Sequence, residues 1–228
     1  MDELEQQKQR AAVRAVAHIR SGMTVGLGTG STAKYATLEL GQRLAAGELA
    51  YISAVATSQA SEALAQRLLI PLVELSGSGV DVAIDGIDEV TETLDAIKGL
   101  GGALTREKMV ESRARTFIVV GDERKLVTQL GERTPVPVEV LRFGWRATLA
   151  DLSSLGCKVI PRQGAGGDLF ETDNGHIVLD CHFSRPLQTH RLDAELATIP
   201  GVIEHGLFLG MATHAYIATA SEVLEFTR

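Results

Sequence analysis

The stretch Val80–Lys108, VDVAIDGIDEVTETLDAIKGLGGALTREK, constrains the fold more than any other part of the chain. It opens as a short apolar run, Val80, Val82, Ala83 and Ile84, which reads as a buried strand bounded by turn residues. Asp85 and Asp88 stand where that run breaks at Gly86. Lys98 then precedes a glycine cluster, Gly99, Gly101 and Gly102, and a helical stretch carries Glu107. A strand end, a glycine loop and a helix start thus bring charged groups to one place. Open α/β sheets build their sites in this way, in the crevice beyond the carboxyl ends of the strands.

Either side of that stretch the chain alternates strands and helices at short spacing. The pattern predicts a helix over 2–20, with acids in its first turn and Gly22 as its stop. Strands follow at 23–27, 51–57, 71–75 and 117–120, with helices at 33–44, 60–69 and 103–115. Such alternation predicts a mostly parallel sheet with right-handed crossovers. Pro135 and Pro137 mark a change. Beyond them the order is strand 138–142, helix 146–155, strand 158–162, strand 176–182, helix 190–198 and strand 202–209. This β-α-β-β-α-β order is the ferredoxin-like arrangement. Two short strand-like runs in 215–226 return to the first part. The expected class is α/β: a Rossmann-like, mostly parallel sheet domain (1–130 with 207–228) and a smaller ferredoxin-like α+β domain (131–206).

The loop Gly28-Thr29-Gly30-Ser31-Thr32 joins the first strand to its helix, where unpaired amides and the positive end of the helix dipole suit a phosphate. It lacks the Lys-Ser/Thr of a Walker A loop and the third glycine of a dinucleotide fingerprint. A small phosphate ester held by amides and hydroxyls suits it better. An ordinary tight strand-to-helix turn remains the other reading.

Bulk properties narrow the partners. The net charge is −7 with no basic block, which argues against nucleic acid. No run approaches the roughly 20 apolar residues of a membrane span. The amino terminus is acidic and polar, without an apolar signal region. Two cysteines, Cys157 and Cys181, are too few for a disulfide framework and point to a reducing compartment. A cytoplasmic location is therefore expected. The six histidines offer no His-x-x-x-His spacing, so no metal is expected.

Glu107 reads either as a solvated glutamate between Arg106 and Lys108 or, facing the crevice, as a general base beside a carbonyl. Asp85 and Asp88 are site carboxylates or turn aspartates. Lys98 is a loop lysine, or a compact charge that works with neighbouring glycine amides on an oxyanion. Lys125, after the fifth strand, sits at the same sheet edge and is placed to meet a phosphate.

The segments Gly26–Thr32, Asp85-Gly86-Ile87-Asp88-Glu89, Lys98–Lys108, Pro135-Val136-Pro137-Val138-Glu139 and Gly201–Phe208 together resemble ribose-5-phosphate isomerases of the A type. The resemblance runs in order along nearly the whole chain. Two departures are visible: Ile87 and Leu100 stand where the family commonly has Ala and Gly, and both positions are expected to present backbone. The resemblance implies an aldose–ketose isomerase of the non-oxidative pentose phosphate pathway, acting on a pentose 5-phosphate without metal or organic cofactor, as a homodimer or homotetramer. It implies Glu107 as catalytic base and Lys98 as enediolate stabiliser. Asp85 and Asp88 would hold sugar hydroxyls and assist ring opening. Thr29, Gly30, Ser31, Thr32, Gly86, Ile87, Gly99, Leu100, Gly101 and Lys125 would complete substrate binding. The rival from another class is a non-catalytic sugar-phosphate sensor, since fold alone does not decide function.

Overall fold

The computed structural model describes residues 2–77, 79–184 and 187–228. Helix α1 (Glu3–Val16) begins at Asp2, whose side chain accepts from the Glu5 amide. It ends four residues short of the predicted bound. The chain leaves the helix there, so that Ile19 enters the core and His18 bonds the Tyr216 hydroxyl at 2.7 Å. Strand β1 (Thr24–Leu27) leads to α2 (Ala33–Ala45), and β2 (Ser53–Ala56) to α3 (Gln59–Arg67). Ser58 and Ser61 close a reciprocal capping box at the start of α3. The expected strand at 71–75 reduces to a single bridge between Leu72 and Ala54. It lies at the sheet's outer edge with Val73 half in solvent, so its apolar residues have too little to bury against.

Strand β3 (Val80–Gly86) is followed by two short strands, β4 (Glu89–Val90) and β5 (Ala96–Ile97), which sequence periodicity does not show. Helix α4 (Leu104–Glu111) stops before the expected end, because β6 (Ala114–Asp122) starts early. The Ala114-Arg115-Thr116 segment has a helix-like polarity, but pairing with Val80–Val82 makes it extended. Strands β7 (Val136–Val140), β8 (Lys158–Pro161), β9 (Ile177–His182) and β10 (Val202–His205), with helices α5 (Trp145–Ser153) and α6 (Thr189–Thr198), form the second lobe. Its sheet is antiparallel in the order β10-β7-β9-β8, the ferredoxin-like order. Pro137 sits inside β7 rather than ahead of it. Its carbonyl accepts from Gly206 where the β10 pairing stops, so its missing N–H leaves no ladder bond unmade.

The last three strands are β11 (Leu207–Phe208), β12 (His214–Ala218) and β13 (Val223–Thr227). The main sheet has the order β13-β12-β6-β3-β1-β2; all its pairs are parallel except β12–β13. The expected strand 202–209 is thus two strands. At Gly206 the chain passes from the antiparallel sheet to a three-stranded sheet, β11-β5-β4. Ala11, Ala12, Ala15 and Val16 of α1 pack with Val25, Ile84, Ile118 and Val120 on one face of the main sheet. Val110, Phe117, Val119 and Ile217 build the core on its other face. A third core, around Val136, Val138, Leu152, Leu179 and Leu196, fills the antiparallel lobe.

Candidate active site

A cleft of about 160 Å³ lies beyond the carboxyl ends of β1, β3 and β6. Thr29–Thr32, Gly86–Asp88, Lys98, Gly99, Gly101, Glu107 and Lys125 line it, joined by Lys8 of α1 and by Asp122 and Arg124. A larger groove of about 480 Å³, beside Leu72, Val73, Arg106 and Met109, has no lysine among its lining residues. The charged residues singled out by the sequence, Asp88, Lys98, Glu107 and Lys125, gather instead in the smaller cleft.

One end of the cleft is built for an anion. Helix α2 starts at Thr32 without a side-chain cap. The amides of Gly30, Ser31 and Thr32 donate to no group among the described residues. An uncapped helix start presents orphan N–H groups and the positive end of the dipole. Lys8 and Lys125 also line the cleft, so a protein of net charge −7 still offers local positive potential. The Thr29 hydroxyl points elsewhere, into a network with Thr57 and Ser58 at 2.8 and 2.7 Å.

The other end holds a buried cluster. Lys98 is 2% exposed, and its ammonium donates to the Gly86 carbonyl at 2.7 Å. It lies 2.8 Å from Asp85, 3.4 Å from Glu107 and 3.6 Å from Glu111. Burial opposes its charge, but the three carboxylates outweigh that and push its pKa up, so it stays an ammonium. One cation cannot neutralise three buried carboxylates, and protons are retained as a result. Burial, reinforced by Asp85 and Asp88 and opposed by Lys98, pushes Glu107 up to about 8. Burial also raises Glu111 well above the usual carboxylate range, with Lys98 opposing and Asp85 adding to it. A protonated Glu111 can donate its hydrogen bond to Asp85. Asp88 is raised by burial too, offset by the Leu100 amide at 2.8 Å and by Lys98. A carboxylate held near neutrality beside a fixed ammonium can take and return a proton while the ammonium stabilises an oxyanion.

A sequence profile described as ribose 5-phosphate isomerase A (phosphoriboisomerase A) matches residues 53–222. The chain belongs to the ribose 5-phosphate isomerase A family. It is 46% identical over 226 residues to ribose-5-phosphate isomerase A of Deinococcus radiodurans, covering 99% of this chain and all of that one. A relative from Arabidopsis thaliana, described as a probable chloroplastic ribose-5-phosphate isomerase 3, is 46% identical and covers 97% of this chain and 83% of its own. Among solved structures, a D-ribose-5-phosphate isomerase in complex with phospho-erythronic acid superposes with a TM-score of 0.96. It is 42% identical and covers the full length of both chains. The Plasmodium falciparum ribose 5-phosphate isomerase gives 0.96 at 36% identity, covering 99% of each chain.

For this member of the isomerase A family, two residues expected to touch substrate lie elsewhere. Asp85 does not line the cleft and is fully buried. One oxygen accepts from the Thr29 and Gly86 amides at 2.8 and 2.6 Å, and the other faces the Lys98 ammonium. It is therefore committed to holding the loop and the lysine and not free for sugar hydroxyls. This packing also explains Gly28, where a Cβ would lie 2.1 Å from the Asp85 carboxylate. The Leu100 side chain is 39% exposed and outside the cleft; its amide and carbonyl are what matter. Ile87 does line the cleft, though its side chain is buried. Sequence reasoning missed Lys8, Arg124, Asp122 and Glu111. Glu111 had a usable signal, one helical turn beyond Glu107 on the same face. Lys8 had none, because its neighbourhood reads as a solvated helix face and it pairs with Glu5 at 2.6 Å.

No three His, Cys, Asp or Glu side chains among the described residues form a metal-holding group. The carboxylate cluster is already occupied by the Lys98 ammonium. Cys157 and Cys181 are buried free thiols. No helix among the described residues is long and apolar enough to cross a membrane.

Proposed function

We propose that this protein interconverts D-ribose 5-phosphate and D-ribulose 5-phosphate through an enediolate, with Glu107 as the general base. The observation that carries this reading is the 3.4 Å Glu107–Lys98 pair in a cleft whose far end presents open helix-start amides. In the open-chain sugar, ionised Glu107 removes the C2 proton and electrons move onto the C1 oxygen; a proton then passes from the C2 hydroxyl to the C1 oxygen, and the same carboxyl returns its proton to C1 as the C2 carbonyl forms. Lys98 and the Gly99 and Gly101 amides, which donate to no group among the described residues, stabilise the enediolate oxygens. Each such donor is worth about 3–4 kcal/mol, and a positioned base contributes about 10²–10⁴-fold. Asp88, which lines the cleft, holds sugar hydroxyls and assists ring opening, while Asp85 holds Lys98 in place. The phosphate binds at Gly30–Thr32 with Lys8 and Lys125, and this remote anchor orients the reacting carbons.

A neighbour of this fold is solved with phospho-erythronic acid. A phosphorylated four-carbon acid has a planar carboxylate that imitates the paired oxygens of an enediolate, so it is a suitable probe here. A sugar-phosphate sensor has no need of a buried carboxyl held near neutrality beside an ammonium. We assign catalysis to 1–130 with 207–228 and treat 131–206 as the supporting lobe; all four strands of the β10-β7-β9-β8 sheet fall within the latter. Free buried cysteines support a reducing, cytoplasmic setting. Exposed Leu141, Phe143 and Ile160 on the antiparallel lobe support a homodimer or homotetramer.

The test is conversion of ribose 5-phosphate in heavy water. Deuterium should enter the product on the carbon beside the carbonyl, and Glu107→Gln should lower turnover at least ~10²-fold while phospho-erythronic acid still binds. Conversion without any solvent deuterium would overturn the enediolate route, and near-normal turnover in the variant would remove Glu107 from its role.

A further inference from the structure

The loop that carries Lys98 is almost without side chains of its own: Gly99, Gly101 and Gly102, with Leu100 turned outward. It is held instead by a residue from the other lobe. Arg162, the first residue after β8, donates from one guanidinium nitrogen to the carbonyls of Gly99 and Leu100, at 2.7 and 2.9 Å. Its other two nitrogens fork onto Asp180 of β9, Nε to one carboxylate oxygen at 3.0 Å and Nη2 to the other. Both side chains are nearly buried, at 11% and 15% exposure. Phe170 packs beside them, its ring 5.9 Å from the guanidinium carbon and against Gly102, where a Cβ would come within 2.3 Å of the ring.

Peptide planarity turns these contacts into a constraint on the cleft. A carbonyl and the N–H of the following residue share one rigid plane and point in opposite directions. Holding the Gly99 carbonyl therefore aims the Leu100 amide away from Arg162, where it donates to Asp88 at 2.8 Å. Holding the Leu100 carbonyl likewise aims the Gly101 amide away, on the side where Gly101 lines the cleft. One planar guanidinium sets two consecutive peptide planes, a task suited to a fork of fixed geometry and not to a lysine.

We propose that Arg162, oriented by Asp180, is a positioning residue for the isomerase reaction. It fixes the Gly99–Gly101 peptide planes so that the Gly101 amide meets the enediolate oxygen and Asp88 keeps its place. The proposal rests on the isomerase reading above. It gives the antiparallel lobe a share in catalysis without any contact with substrate.

A tie between lobes with no catalytic consequence would alter stability alone, so the test separates kcat from KM. Arg162→Lys, Arg162→Met and Asp180→Asn are assayed with ribose 5-phosphate and with phospho-erythronic acid as inhibitor. Misplacement by about 1 Å can cost 10²-fold, so kcat should fall roughly 10- to 100-fold in both Arg162 variants. Asp180→Asn, which keeps the shape and loses the charged fork, should fall between them and wild type. KM should change little, because the phosphate is held at the far end. The inhibition constant of phospho-erythronic acid should rise in parallel with the loss of kcat. If Arg162→Met does not fold, Arg162→Lys and Asp180→Asn carry the test. Folded variants with unchanged kcat, or a loss confined to KM, would overturn the proposal alone. An inactive wild type would instead overturn the isomerase reading, and the proposal with it.

Discussion

Replacing Glu107 by Gln should lower turnover and at the same time stabilise the protein at alkaline pH. The size of the second effect follows from the site. Burial, with Asp85 and Asp88 nearby, lifts the carboxyl from 4.5 to about 8 against the pull of Lys98. Between those values the unfolded chain carries an ionised glutamate while the folded one keeps its proton. Folding then takes up a proton, and stability falls as pH rises. The contribution is fully present below 4.5 and lost as pH passes about 8. At about 1.4 kcal/mol per pH unit, this amounts to roughly 5 kcal/mol across the window. Glutamine does not titrate and lacks this slope. Glu111 also resists ionisation, partly because of the Glu107 charge, so in the variant its own slope is shallower and adds to the difference. Urea unfolding of wild type and variant at pH 5, 7 and 9 would therefore show a gap that widens in the variant's favour by several kcal/mol. A gap independent of pH would mean that Glu107 is an ordinary carboxylate, and the poised-base argument would fall with it.

Two further outcomes follow from the same cluster. Because the base must be ionised to act, kcat/KM should rise about tenfold per pH unit up to about 8 and then level; a profile flat from pH 6 to 9 would exclude Glu107 as the titrating group. Activity should persist in EDTA, since the Lys98 ammonium already stands among Asp85, Glu107 and Glu111, and loss on chelation would show that a metal takes part.

Much of the site is readable from the sequence because it is local. The apolar run into Asp85, the glycine loop after Lys98 and the helix start before Glu107 are each written in a few consecutive residues. The elements read wrongly are those decided by distant partners. Ala114–Thr116 has helical polarity and becomes strand because β3 lies beside it. Residues 71–75 have strand-like apolarity, yet at the sheet edge they make only one bridge. Asp85 looks like a group facing substrate, and only the Lys98 ammonium and the Thr29 amide, brought in by folding, show that it is buried. Lys8 and Arg162 act across long separations in the chain, and no local spacing announces such contacts.

The passage at Gly206 has a consequence for engineering. One residue carries the chain between the two lobes. Its carbonyl accepts from the Lys98 amide, and a Cβ there would meet the Lys98 carbonyl oxygen at 2.2 Å. The lobes are thus not modules that can be exchanged at a linker. A chimera spliced within 205–207 would shift the backbone of Lys98 itself, so recombination between relatives should succeed only where both partners keep this seam intact.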